Sequence, residues 1–445
     1  MSGYEQLEAR TAESRAFHEK ASLLMPGGVS ANLKFFEPYP LAMKKARGSR
    51  LFDVDGNEYV DYLMAYGALI LGHNHPSVAD AVAHVLKDVG TNILGAPSEL
   101  ELDMAETLLR LYSFGDMVRF TNSGLEATLL ACRLARLHTG RGKIAKFEGH
   151  YHGAHEAVLV SVFPKLRYAG SSKRPSPVPD SRDLVGDSLE NTVVLPFNDT
   201  ESCTEILEEE AEDLSCVILE PVQRGYILAE RGFLSKLRKI TQELGVLLIY
   251  DEVKTGFRIA LGGAREFYGV SPDLSCLGKV IGGGFPIGAV VGGTEIMESI
   301  SPNRPDTGKP PLFHSGTFNG NTVSMAAGLA TLETLSQRGS YPKIFGTTEM
   351  LREQMEEAFS RYGLEARTVG AGAIFNLVPG HGTISNYRDA LSTDWSMRRK
   401  LDYELLSRGV YIKPLGRFSP SLAHSEEDVL QTVEALDQSL RQIPA

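Results

Sequence analysis

Leu274-Ser275-Cys276-Leu277-Gly278-Lys279-Val280-Ile281-Gly282-Gly283-Gly284 runs from an apolar stretch through a lysine into a glycine-rich turn. Upstream, a second apolar run, Val246-Leu247-Leu248-Ile249-Tyr250, ends on Asp251. Short apolar runs bounded by turn residues read as buried strands. Working outward, Met117 to Thr121, Lys143 to Phe147 and Cys216 to Leu219 are strands of the same kind. Ser77 to Leu86, Leu100 to Leu111, Gly124 to His138 and Leu234 to Leu244 read as the helices between and before them. This alternation predicts an α/β fold with a mostly parallel central sheet covered by helices.

The flanks have a different texture. Residues 4 to 25 read as one helix, with Leu7, Phe17, Ala21 and Leu24 roughly on one side and Pro26-Gly27-Gly28 as its stop. Met43 to Tyr62 reads as short strands, with a hairpin at Asp55-Gly56. After about residue 311 come a long helix, a mixed stretch and a final helix near Glu426 to Arg441. The expected domains are an N-terminal segment at 1–70, a large α/β domain at 71–310 and a smaller α/β C-terminal domain at 311–445. Gly170 to Asp187, rich in Ser, Pro, Arg and Asp, reads as an exposed loop long enough to form a lid.

Composition removes several classes of function. The formal net charge of -11 argues against nucleic acid, whose phosphates need a basic surface. No apolar run approaches the ~20 residues that span a bilayer. Residues 1–20 lack the apolar core of a signal peptide. The four cysteines, Cys132, Cys203, Cys216 and Cys276, form no CxxC pair, so a soluble cytoplasmic protein with reduced thiols is expected.

Ligands in sheets of this kind sit at the carboxyl ends of the strands, where Asn122-Ser123-Gly124, Asp251 and Lys279 all fall. A lysine there is badly placed to be a solvated charge. Lys279 and Asp251 together suit pyridoxal 5'-phosphate chemistry. The lysine forms a Schiff base with the cofactor, and the aspartate keeps its ring nitrogen protonated. Ser123-Gly124-Leu125 opens a helix, where outward N–H groups and the macrodipole favour a phosphate. Gly149-His150-Tyr151-His152-Gly153-Ala154-His155 follows a strand into the same crevice, and Tyr151 or a neighbouring imidazole is placed to stack on a flat ring. Its three histidines match no zinc spacing, so no metal is expected. Ser315-Gly316-Thr317-Phe318-Asn319 is a second, weaker anion cradle.

Together these pieces resemble the class III aminotransferases of pyridoxal phosphate fold type I, from about Pro26 to the C-terminus. Within that family they are most similar to the glutamate-1-semialdehyde 2,1-aminomutases. The matching stretches include Met25-Pro26-Gly27-Gly28-Val29, Asp53-Val54-Asp55-Gly56, Leu71-Gly72-His73, Tyr151-His152-Gly153, Asp251-Glu252-Val253 and Leu277-Gly278-Lys279. The resemblance implies that Lys279 carries the cofactor and shuttles the proton, and that Asp251 pairs with the ring nitrogen. It implies that Val253 and Tyr151 cover the two ring faces, with His152 among the cofactor contacts. Ser123, Gly124 and the backbone of Leu125 would hold the phosphate. Thr317 would reach the phosphate of a neighbouring subunit, which implies a homodimer with shared active sites.

Three departures from the aminomutase pattern bear on function. Leu125 stands where the family usually has threonine. Lys34 stands where the aminomutases have a carboxylate-binding arginine, and a lysine offers no planar fork. The segment before Ser421-Leu422-Ala423-His424 is shorter and has Arg417 in place of an acid. An arginine there would hold a substrate carboxylate, as in the related β- and D-amino-acid aminotransferases. The expected function is therefore an aminotransferase that passes an amino group from an amino acid to a 2-oxo acid, with Arg417 and Lys34 binding substrate. The alternatives are the aminomutase, a racemase or epimerase, and a non-catalytic homologue.

Overall fold

In the computed structural model, which describes residues 3–184, 186–303 and 312–443, the apolar runs before Asp251 and Lys279 lie side by side. Leu247–Asp251 pairs in parallel with Leu274–Gly278, with Asp251 opposite Cys276. They belong to a seven-stranded sheet. Its spatial order is Met117–Thr121, Gly288–Gly292, Leu274–Gly278, Leu247–Asp251, Leu214–Leu219, Lys143–Phe147, Thr192–Leu195. Every pairing is parallel except the two made by Gly288–Gly292, which runs against both neighbours. The fold is the expected one, a mostly parallel α/β sheet of fold type I. Thr192–Leu195 and Gly288–Gly292 are strands beyond those read from the sequence.

The helix Gly124–Thr139 packs on this sheet through Ala127, Leu130, Ala131, Leu134 and Ala135. Ser123 caps its first turn by accepting the Glu126 N–H at 3.2 Å, and Gly140 ends it at φ 72°. All four cysteines are buried and reduced, and Cys132, Cys216 and Cys276 share one apolar cluster.

The chain divides into two compact units. The sheet unit holds Ser77–Gln337 and Thr383–Ser392. The second unit holds Met1–Pro76, Arg338–Gly382 and Thr393–Ala445. The helix Thr322–Ser336 thus goes with the sheet, and the N-terminal segment groups with the C-terminal part. The boundary expected at residue 310 lies outside the described residues.

In the second unit, Met43–Arg47, Arg50–Asp53 and Glu58–Asp61 form an antiparallel set, and Val410–Tyr411 adds in parallel to Glu58–Asp61. The hairpin falls where Asp55-Gly56 placed it. The helices Ser340–Arg361, Ser396–Ser407 and Glu426–Leu440 close a core around Phe359, Phe375, Leu405, Phe418 and Leu436. The single N-terminal helix of the sequence reading is two, Gly3–Arg10 and Ala12–Ser22. The break is chemical. The Asp55 carboxylate takes the N–H groups of Glu13 and Ser14 at 2.6 and 3.0 Å, which starts a new helix there.

The loop after Gly170 is pinned along its first half. Ser176 N donates to Ala169 O, and Asp180 accepts from the backbone of Val162 and Phe163. No helix among the described residues is long and apolar enough to cross a membrane.

Candidate active site

Lys279 follows directly on the strand Leu274–Gly278, and its backbone is left-handed at φ 49°. That conformation costs a residue with a Cβ ~1–2 kcal/mol, so the packing around it fixes the lysine in place. One strand away, Asp251 is 4% exposed. Its two oxygens have different partners. Oδ1 accepts the N–H of Val253 at 3.1 Å, and Oδ2 meets His152 Nδ1 at 2.8 Å. Burial lowers the pKa of the His152 imidazole, and Asp251 pulls it back only in part. The ring is therefore neutral near pH 7, with its Nδ1–H donating to Asp251 Oδ2. Its Nε2 has no hydrogen-bond partner among the described residues.

The phosphate end is shaped by close packing. A Cβ built on Gly124 would lie 2.6 Å from Val253 Cγ1, so Val253 seats directly on the start of the helix. A Cβ on Gly153, where φ is +105°, would meet Leu125 Cγ at 2.9 Å. The Leu125 side chain is thus spent on the 151–153 loop. The N–H groups of Glu126 and Ala127 are taken by Ser123. Those of Gly124 and Leu125 are the donors a phosphate would take. Asn122 Nδ2 donates to Asn319 Oδ1 at 2.9 Å, which ties this turn to the Ser315–Asn319 turn. Thr317 on that turn is exposed.

Tyr151 is held from two sides. Its N–H donates to Glu220 Oε2 at 3.1 Å, and the Lys254 ammonium sits 5.3 Å from the centre of its ring. The ring is 39% exposed, which leaves a face for a flat partner. Glu220 and Lys254 are ion-paired. Burial alone would raise the Glu220 carboxyl, but Lys254 outweighs it and holds the group well below the usual carboxylate range. Glu220, Lys254 and the His152–Asp251 contact escaped the sequence reading. Glu220 carried the same signal as Asp251, an acid at the end of an apolar strand.

The other two histidines of the loop do not converge on an ion. His150 Nδ1 accepts the Glu220 N–H at 2.9 Å, and burial holds its pKa well below the ordinary value. His155, pushed down to about 4 by burial, lies 3.4 Å from the Thr128 hydroxyl. Among the described residues no cluster suits a metal.

Arg417 and Lys34 belong to the second unit. Arg417 Nη2 donates to Tyr66 O at 3.4 Å. Lys34 is exposed and donates to Ser30 Oγ at 2.8 Å.

The family model described as Aminotransferase class-III matches residues 35–440. The chain belongs to that family. Among curated relatives, the glutamate-1-semialdehyde 2,1-aminomutase of Methanosarcina acetivorans is 41% identical, covering 97% of this chain and 99% of its own. That of Ignicoccus hospitalis is 43% identical, covering 95% and 97%. An omega-transaminase from Sphaerobacter thermophilus superposes with a TM-score of 0.91 at 34% identity, covering 96% of this chain and 97% of its own. A structure described as a transaminase with PLP bound gives 0.87 at 34% identity, covering 97% and 98%.

The class III family uses pyridoxal phosphate, and the residues present fit it. They provide a lysine and a buried carboxylate on adjacent strands, an open helix N-terminus and a partly exposed aromatic face. The comparisons correct the expected reaction. Full-length relatives named as aminomutases stand against an aminotransferase that needs a 2-oxo acid acceptor. The physical reason is that Arg417 was asked to decide too much. A guanidinium binds a carboxylate, and amino-acid substrates of both chemistries carry one.

Proposed function

We propose that this class III enzyme is an aminomutase that moves an amino group between neighbouring carbons of one substrate, converting glutamate 1-semialdehyde to 5-aminolevulinate. The observation that carries the reading is the identity of 41% and 43% to aminomutases over nearly their whole length. Pyridoxal phosphate, when bound, supplies an electron sink that acidifies the carbon bearing the nitrogen.

The chain's own residues do the rest. The Asp251 carboxylate, fixed by His152 and the Val253 N–H, would present a negative charge to the ring nitrogen and keep it cationic. Gly124, Leu125 and Ser123 would hold the phosphate. Val253 and Tyr151 would bracket the ring, and His152 would support it through Asp251. The Lys279 amine takes a proton from one carbon and returns it at its neighbour, acting as general base and then general acid. Arg417 and Lys34 supply positive charge for the substrate carboxylate. Thr317 contributes to the phosphate site of a second copy. Its position between Phe313 and Phe318, which are 77% and 60% exposed, supports a homodimer that covers this turn.

The test is an assay with glutamate 1-semialdehyde alone. 5-Aminolevulinate should accumulate over many turnovers without added amino donor or acceptor, and a Lys279→Ala variant should keep cofactor yet form none. Absence of product from active holoenzyme would reject the proposal.

A further inference from the structure

The helix Ser396–Ser407 carries a fully buried ion pair, Arg398 Nε to Asp402 Oδ1 at 2.8 Å, with both side chains 0% exposed. Such a pair returns its desolvation cost only when its remaining donors and acceptors are also satisfied. Here they are, and two of the bonds end on one turn. Arg398 Nη2 donates to Gly416 O at 3.1 Å, and Asp402 Oδ2 accepts the Leu415 N–H at 2.6 Å. The other guanidinium nitrogen donates to Asn376 Oδ1 and Leu377 O at 2.9 and 3.0 Å.

That turn does not hold itself. Leu415 is left-handed at φ 62°, a conformation that residues with a Cβ rarely adopt. Immediately after Arg417, the chain is fixed again. Phe418 exchanges both backbone hydrogen bonds with Phe375 and stacks on its ring at 4.9 Å and 5°. The Arg398 guanidinium lies 5.5 Å from the Phe418 ring centre. Arg417 therefore sits between a clamped turn and a bridged strand. Its guanidinium reaches the Tyr66 carbonyl in a turn where Met64, Ala65 and Tyr66 all have positive φ.

We infer that Arg398 and Asp402 are positioning residues for substrate recognition, which fix the direction in which Arg417 presents its guanidinium to the substrate carboxylate. The inference rests on the reading of Arg417 given above. A pair needed for folding alone would be replaceable by apolar residues with no change in ligand preference.

The probes are 4-oxopentanoate and 4-oxopentanamide, which differ in charge at the recognised end. Their dissociation constants are measured calorimetrically on holoenzyme. The wild type should prefer the carboxylate, and Arg417→Gln should reduce that preference to what Lys34 alone supplies. Asp402→Asn should cut the preference about tenfold, the size of one well-placed hydrogen bond, while leaving amide binding unchanged. In the Arg417→Gln background it should change nothing further. If the single variant does not fold, Arg398→Met combined with Asp402→Leu removes both charges together and fills the space. Equal loss for both probes, an unchanged preference, or additivity with Arg417→Gln would overturn the positioning role. A preference left undiminished by Arg417→Gln would remove the underlying reading of Arg417, and the positioning role with it.

Discussion

Asp251 has two oxygens and two protein partners, so its orientation is set before any cofactor arrives. A buried imidazole held neutral is a good partner for this purpose. It donates one hydrogen bond and adds no competing positive charge beside the ring nitrogen. His152→Phe should keep the ring and lose the bond. A hydrogen bond to a charged group is worth ~1.5–3 kcal/mol, so kcat should fall about ten- to hundredfold while cofactor is retained. Unchanged turnover would show that Asp251 holds itself.

Its neighbour Glu252 has the opposite character. Burial raises its carboxyl to about 8, although the Ala264 N–H at 2.6 Å and the Ser275 hydroxyl at 3.4 Å lower it in part. The folded state therefore binds a proton that the unfolded chain releases near 4.5. Stability falls as pH rises between those two values, because the native state is the one holding the extra proton. Glu252→Gln should flatten this part of the denaturation-midpoint profile against pH. Lys146 works in the other direction. Burial pushes it down to about 7, so its contribution to stability rises with pH from there toward 10.5. A Glu252→Gln profile identical to the wild type would contradict the assignment.

At the scale of elements, the helix Gly124–Thr139 shows why small residues crowd this site. Gly124 is in contact with Val253, and a Cβ on Gly278 would lie 3.4 Å from Gly124 Cα. Gly124→Ala should cost about 1–3 kcal/mol through overpacking. It should also loosen phosphate retention, read as faster cofactor loss on dialysis. Retention and stability equal to the wild type would show that Val253 can move aside.

The same crowding explains what the sequence hid. The strands Leu247–Asp251 and Leu274–Gly278 are buried inside the sheet and read as plain apolar runs. Gly288–Gly292 was missed because its glycines resemble a turn. A Cβ on Gly288 would lie 2.1 Å from Ser123 O, and one on Gly292 2.3 Å from Leu274 Cδ2. Packing demanded a composition that propensity reads as loop. Lys279, Asp251 and the Ser123-Gly124 turn were legible because charge or glycine at a strand end is conspicuous. The Glu220–Lys254 pair was not, because two positions far apart in the chain leave no local pattern of pairing, and Arg398 was not, because an i,i+4 Arg–Asp pair on a helix reads as a solvated face.

Across the whole chain, residues 383–392 are the one stretch after Gln337 that goes with the sheet unit. Arg388 anchors them. It forms a two-pronged pair with buried Glu148 at 2.8 and 2.9 Å, and it donates to the carbonyls of Ala169 and Gly170. Arg388→Met strands a carboxylate that is 4% exposed. It should cost about 2–4 kcal/mol and make the 163–183 loop a preferred site of proteolytic cleavage. An unchanged cleavage pattern would mean that Tyr387, whose hydroxyl reaches Pro164 O at 3.1 Å, suffices alone.

In an aminomutase the amino group never leaves for a separate acceptor. The most direct measurement is a mass balance by proton NMR on purified holoenzyme with glutamate 1-semialdehyde as sole reactant, with and without added 2-oxoglutarate. The predicted result is one 5-aminolevulinate for each glutamate 1-semialdehyde consumed, at a rate indifferent to the oxo acid. Consumption that depends on 2-oxoglutarate, with glutamate appearing in step, would contradict it.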